Sequence, residues 1–205
     1  MLDLTAYKRM LNAESKGESM RNSTAEIANA KFDSNPAYVK VLYNGEEVEC
    51  LYRHHKYLSQ TIYLTFRPFF IVNKGDYVEF KGKTYIVTDF IQNEIYTKAE
   101  ITFCNNTLRW KDNFENIFEF PCFISGNSLV LDDAKYSNTN RYVLRSDADI
   151  HVQVQYNEYT KTIFPTQRFI INKKVYDVTT INDLEVYEEK GFLELVLTST
   201  AKSDT

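Results

Sequence analysis

Two hydrophobic periodicities divide the chain near Pro36. Before it, Leu4, Tyr7, Met10, Leu11 and Glu14 fall at helical spacing, which predicts a short amphipathic helix ended by Lys16-Gly17. Ser23-x-x-Glu26 then has the form of a capping box, in which the serine hydroxyl accepts from the third backbone N–H and the glutamate reaches back. It predicts a second helix over Thr24 to Phe32, stopped at Asn35-Pro36 because proline forces the preceding residue into extended backbone. Helices this short do not hold in water by themselves. The expected helical arm, residues 1–36, therefore needs a surface to lie on. Leu4, Tyr7, Met10, Leu11, Ile27 and Phe32 are the side chains expected to meet that surface, on the chain's own β domain or on a neighbouring subunit.

From Ala37 onward apolar and polar positions alternate with period two, the mark of half-buried strands. Tyr38 to Tyr43 and Val48 to Tyr52 flank Asn44-Gly45, a hairpin turn whose two residues tolerate positive φ. Strands are expected over Gln60 to Phe66, over Asp76 to Phe80 and Thr84 to Ile91 around Lys81-Gly82-Lys83, and over Glu94 to Phe103. Beyond Cys104-Asn105-Asn106-Thr107 the pattern resumes at Leu108 to Lys111 and Ile117 to Ser125. A polar, weakly patterned loop fills about 126–149. Further strands are expected over Ile150 to Tyr156, Thr162 to Phe164, Arg168 to Ile171, Val175 to Ile181 and Phe192 to Thr198, before a frayed acidic C-terminus. This density of short strands and tight turns predicts a mainly β protein: two small antiparallel β barrel or sandwich modules, residues 37–104 and 105–205, after the helical arm.

A weak echo links the two expected modules. Asp76 to Thr88 and Arg168 to Thr179 each read as a hairpin whose return strand carries Tyr-x-Val-Thr, at Tyr85 to Thr88 and Tyr176 to Thr179. Convergence of hairpins on the same turn chemistry explains this as well as descent from one β module does.

Fifteen Tyr and fourteen Phe beside a single Trp strengthen the strand reading, since both residue types suit pleated, half-buried surfaces. They also suit subunit contacts. Net charge is −4, and the segment 182–205 alone carries six acids and two bases, so the rest of the chain balances. Such a chain lacks the basic face that general nucleic-acid binding requires. The N-terminus lacks signal-peptide character, and no apolar run reaches the roughly 20 residues of a membrane helix, so a cytoplasmic site of synthesis and no membrane partner are expected.

No reactive constellation stands out. Cys50, Cys104 and Cys122 are odd in number and widely spaced, which fits neither a disulfide framework nor a zinc site. Neighbouring residues on a strand point to opposite faces, so His54-His55 is a poor chelating pair, and His151 is remote in sequence. Cys50 with His54 is the one formal nucleophile–base pair, but Cys50 sits in an alternating strand that should bury it. Phosphate-binding glycine loops are absent. Glu185 to Glu189 lacks the glycine-containing loop of a calcium site and reads as a solvated turn. The rings of Tyr156 and Tyr159 invite sugar stacking or, more simply, packing within the sheet. No catalytic residue, metal ligand or cofactor is therefore expected.

Cys104-Asn105-Asn106-Thr107-Leu108-Arg109-Trp110, followed by Phe120-Pro121-Cys122, resembles a stretch found in structural proteins of long-tailed phages of Gram-positive bacteria. So do Asn29-Ala30-Lys31-Phe32 before Pro36 and Arg168 to Ile171 before Tyr176-x-Val178-Thr179. These proteins resemble head–tail connector or head-closure components. The resemblance implies a ring of identical subunits between portal and tail, through which DNA passes without specific binding. It implies a life in the host cytoplasm during assembly and in the virion afterwards, with no catalytic residue. The competing expectation is a monomeric binding module that recognises carbohydrate or a cell surface.

Overall fold

The computed structural model describes residues 15–55, 58, 60–93, 95–111, 115–126 and 149–200. The helix expected over Leu4 to Glu14 lies outside them. One helix, α1 (Lys16–Ala30), occupies the rest of the arm. Its start corrects the expected break at Lys16-Gly17 and the expected cap at Ser23. Ser15-Lys16-Gly17-Glu18 carries the same S-x-x-E signature eight residues earlier, and the Ser15 hydroxyl accepts the Glu18 N–H at 3.1 Å. Gly17 then falls in the first turn, where backbone N–H groups have no intrahelical partner to lose. The Thr24 hydroxyl bonds back to the Met20 carbonyl, the i−4 bond by which a hydroxyl inside a helix finds a partner. Beyond α1 the chain turns at Asn35, whose side chain accepts from the Ala37 N–H.

Twelve strands follow among the described residues. The first six are β1 (Tyr38–Tyr43), β2 (Glu46–His54), β3 (Thr61–Phe66), β4 (Tyr77–Phe80), β5 (Lys83–Gln92) and β6 (Thr97–Phe103). They form a closed antiparallel barrel in the order β1-β2-β3-β6-β5-β4. The next six are β7 (Asn106–Lys111), β8 (Ile117–Gly126), β9 (Asp149–Gln155), β10 (Arg168–Ile171), β11 (Lys174–Asn182) and β12 (Phe192–Ser199). Their order, β10-β11-β12-β9-β8-β7, is the first order read from the other end. Mainly β architecture in two barrel-like modules behind one helix is what the structure shows.

The two modules match in register as well as in order. Cys50 faces Phe66 across β2 and β3, and Cys122 faces Val154 across β8 and β9. The echo in the sequence marks the fourth and fifth strands of both. Each fifth strand carries a β-bulge at the threonine of Tyr-x-Val-Thr, Thr88 in β5 and Thr179 in β11. In each, that threonine hydroxyl bonds a carbonyl of the sixth strand, Glu100 at 3.3 Å or Val196 at 3.0 Å. In each it also meets a second threonine hydroxyl, Thr102 or Thr198. The motif is legible because a bulge exposes backbone groups that a short hydroxyl side chain satisfies.

The modules differ at the seam. In the first, β1 pairs with β4, with Tyr43 opposite Val78. The corresponding residues of the second are Trp110 and Phe169, whose rings meet edge to face at 6.2 Å. No backbone pairing joins β7 to β10 among the described residues. At this seam the two strands meet through side chains.

The strand expected at Thr162 to Phe164 is also corrected. Thr160–Thr162 is a short 3-10 turn. The Asn157 side chain accepts both the Tyr159 and Thr160 N–H groups, and the Thr160 hydroxyl bonds the Gln155 carbonyl. These local bonds bend a β-branched run that reads as strand.

Candidate functional site

The two modules meet along a junction built by one turn. Asn73-Lys74-Gly75-Asp76 leads into β4. Asp76 is buried, where its carboxylate accepts from the Tyr43 hydroxyl, the Asn73 N–H and the Asn73 side-chain amide. Burial and the neighbouring Asp76 carboxylate hold the Tyr43 hydroxyl well above the usual phenol range. This polar knot fixes the turn so that Gly75 lies directly against the backbone of Gly191, which precedes β12. Gly75 has φ +82° and Gly191 φ +138°, conformations that favour glycine. Lys74 then pairs with Glu185 at 2.8 Å and with Asp89 at 3.3 Å, tying the β11–β12 loop to β5. Further along, the Tyr77 hydroxyl donates to the Pro121 carbonyl at 2.6 Å, beside a small apolar cluster of Ile86, Cys104 and Phe192. A polar cleft of about 250 Å³ opens at this junction between Asp76, Gln155, Lys161 and Gly191.

Around the junction, large apolar side chains face outward: Phe69 and Ile71 before the turn, Ile91 at the end of β5, and Leu184 and Tyr187 in the β11–β12 loop. Leu184 is 86% exposed and Tyr187 76%. The loop that shows them is well ordered by its own bonds. Tyr187 and Lys190 exchange backbone hydrogen bonds at 2.8 and 2.9 Å around Glu188-Glu189. The Asn182 side chain accepts the Leu184 N–H, and Val186 packs on the second core. Sequence patterning presents this stretch as a solvated acidic turn and gives no sign of the apolar pair it displays.

Of the arm residues expected at an interface, Leu4, Tyr7, Met10 and Leu11 lie outside the described residues. Ile27 is 58% exposed on α1. Phe32 is 2% exposed, buried on the chain's own first barrel. The Arg67 guanidinium lies over its ring at 4.7 Å and also meets Asp33, the Asn29 side chain and Glu49. Arg67 is thus the clasp between α1 and the barrel, and nothing in the strand pattern singles it out. Hydrogen bonds from Tyr38 and then Arg67 hold the Glu49 carboxyl below the usual carboxylate range. A depressed folded value means the contribution of Glu49 is complete above its unfolded pKa, about 4.3, and is lost as pH falls through the lowered one. Acidification should therefore loosen the clasp. Amide resonances of Asn29 and Phe32 followed by NMR should shift with a midpoint below about 4.3; a midpoint at or above it would contradict the assignment.

The residues weighed for chemistry are placed without forming a reactive set. Cys50, Cys104 and Cys122 are all buried and free, and burial pushes each thiol up to about 12. His54 ends β2 and bonds the Tyr52 hydroxyl, while the His55 ring accepts the Leu58 N–H. Among the described residues no three His, Cys, Asp or Glu side chains converge as metal ligands. Tyr159 stacks on Phe118 at 4.9 Å and on Phe120 at 6.0 Å and remains 52% exposed on the outside of the second module. Thiols this deeply buried should resist an alkylating agent in the native protein and all react once it is denatured. Mass spectrometry of the alkylated chain would count them, and a cysteine blocked after denaturation in the absence of reductant would contradict the prediction.

No described helix is long and apolar enough to cross a membrane. No curated protein and no solved structure matches the chain. Two family models do match: the YomX N-terminal domain over residues 7–103 and the YomX C-terminal domain over residues 106–198. Their junction coincides with the passage from the first barrel to the second. Carrying both domains in order along nearly its whole length, the chain belongs to the YomX family and is a phage-related protein.

Proposed function

We propose that this chain is a structural subunit of the phage particle, a head–tail connector or head-closure component that forms a homo-oligomeric ring between portal and tail. It acts by contact, with no catalysis and no cofactor. It is made in the host cytoplasm and ends in the virion, and DNA passes through the ring without specific binding. The observation that carries this reading is the exposed apolar set at the junction. Phe69, Ile71, Ile91, Leu184 and Tyr187 are held outward on a locked two-barrel body. Exposed apolar clusters of this kind mark surfaces that other proteins cover. The acidic balance of the chain suits a ring that must release DNA.

The test is a phage deleted for this gene. Purified wild-type particles should contain the protein in stoichiometric amount, and the deletion should yield filled or empty heads separate from complete tails. Joined particles without the protein, or its absence from wild-type particles, would overturn the proposal. A chain lacking residues 1–35, supplied in trans, asks whether the arm is an assembly element: it should fold but fail to join heads to tails.

A further inference from the structure

The first barrel has two ends of opposite chemistry. β5 runs ten residues from Lys83 to Gln92, so its ends stand about 30 Å apart. At one end the β4–β5 turn, Lys81-Gly82-Lys83, projects two lysines. The Lys81 ammonium lies over the rings of Phe80 and Tyr52, at 5.0 and 5.3 Å, and the Lys83 ammonium over Phe103 at 5.1 Å. Neither meets a carboxylate among the described residues. The result is two cations stacked on rings that are themselves covered, Phe80 buried and Tyr52 and Phe103 half-buried, with no carboxylate partner among the described residues.

At the other end lies the exposed apolar set. Lys74 bonds both Asp89 and Glu185. Ile71 is three residues before Lys74, Ile91 two after Asp89, and Leu184 next to Glu185. At about 3.5 Å of reach per residue, the backbone of each lies within roughly 10 Å of one member of that ion trio, which gathers all three at this end. Asp183, Glu188 and Glu189 rim it, exposed and without an ion pair among the described residues. Glu188 and Glu189 both hold positive φ in a tight turn, which fixes the two acids beside Tyr187.

We infer that copies of this chain join head to tail, the Leu184–Tyr187 patch with its acidic rim seating on the Lys81–Lys83 aromatic end of the next copy. The occupant follows from charge. Pairing either end with itself would bring like charges together, whereas pairing unlike ends matches unpaired acids to unpaired lysines and covers the exposed Leu184 and Tyr187 side chains. Contacts between two different patches propagate around a ring, as the ring reading on which this inference rests requires.

Analytical ultracentrifugation of the full chain at up to about 1 mM, the range expected of a small transient contact, reads the outcome. The native protein should self-associate at low salt and less so at high salt. Lys81→Glu with Lys83→Glu, and separately Glu188→Lys with Glu189→Lys, should each weaken association at least about tenfold. Each variant has two ends of one sign, so each alone repels itself. Mixed in equal amounts, the two should associate again by alternation. Circular dichroism identical to the native protein shows that both variants are folded. A native protein that stays monomeric, variants that associate as the native protein does, or folded variants that fail to combine when mixed would each overturn the inference. The particle test above is independent: a protein found in virions yet monomeric in solution leaves the proposed function standing and removes only this contact.

Discussion

Replacing Gly75 with alanine should lower stability by about 3 kcal/mol, while the same change at Gly45 should cost only about 1. Both glycines have positive φ, +82° and +87°, so both substitutions pay the left-handed strain of an L residue. They differ in what a Cβ would meet. At Gly45 there is open space. At Gly75 the new carbon would overlap the carbonyl of Gly191 and lie 3.0 Å from its Cα. Both are backbone atoms that no rotamer change removes. Either the β11–β12 loop lifts off, breaking the Lys74–Glu185 pair, or the two barrels part. At roughly 2–4 °C per kcal/mol for a chain of this size, the melting temperature should fall by about 10 °C for Gly75→Ala and about 3 °C for Gly45→Ala. Equal shifts in calorimetry would mean that the junction yields freely and is not the lock described here.

Arg67→Met should cost about 2 kcal/mol, and the loss should be local. Methionine keeps much of the aliphatic stem over Phe32 but removes the charge-assisted bonds to Glu49, Asp33 and Asn29. A helix of fifteen residues has little stability of its own, so α1 depends on this clasp and on Phe32. Hydrogen exchange should show the amides of Met20 to Ala30 losing protection at least tenfold while β2, β3 and β6 keep theirs. Unchanged protection in α1 would assign its stability to contacts other than Arg67. The barrel core is expected to hold because Phe66, Leu64 and Ile101 are fully buried in a cluster that includes no residue of the arm.

Strand content, most strand positions and the tight turns were legible from the chain alone. Alternation along Tyr38 to Tyr43 or Thr97 to Phe103 reflects a barrel wall with one face in the core, and period two survives in sequence whatever the topology. Asn44-Gly45 and Lys81-Gly82 announced their hairpins because few residues accept consecutive positive φ. The local errors share a cause. Lys16-Gly17 reads as a helix end because glycine commonly follows one, whereas the Ser15 hydroxyl caps a helix that starts there. At Thr160 to Thr162, the Asn157 side chain captured backbone groups that a strand would have paired.

Hydrophobic pattern and turn chemistry thus determined by themselves that this is a pair of small β modules with a helical lead, while the Tyr-x-Val-Thr echo left convergence and repetition open. Tertiary structure alone decided that the echo is one topology used twice, because strand order depends on pairings between residues far apart in sequence. It alone placed Gly75 on Gly191, residues 116 positions apart, and laid Arg67 over Phe32. It alone turned Leu184 and Tyr187 outward from a stretch that reads as a charged turn. Those facts rest on which distant segments share space, and a local pattern carries no record of that.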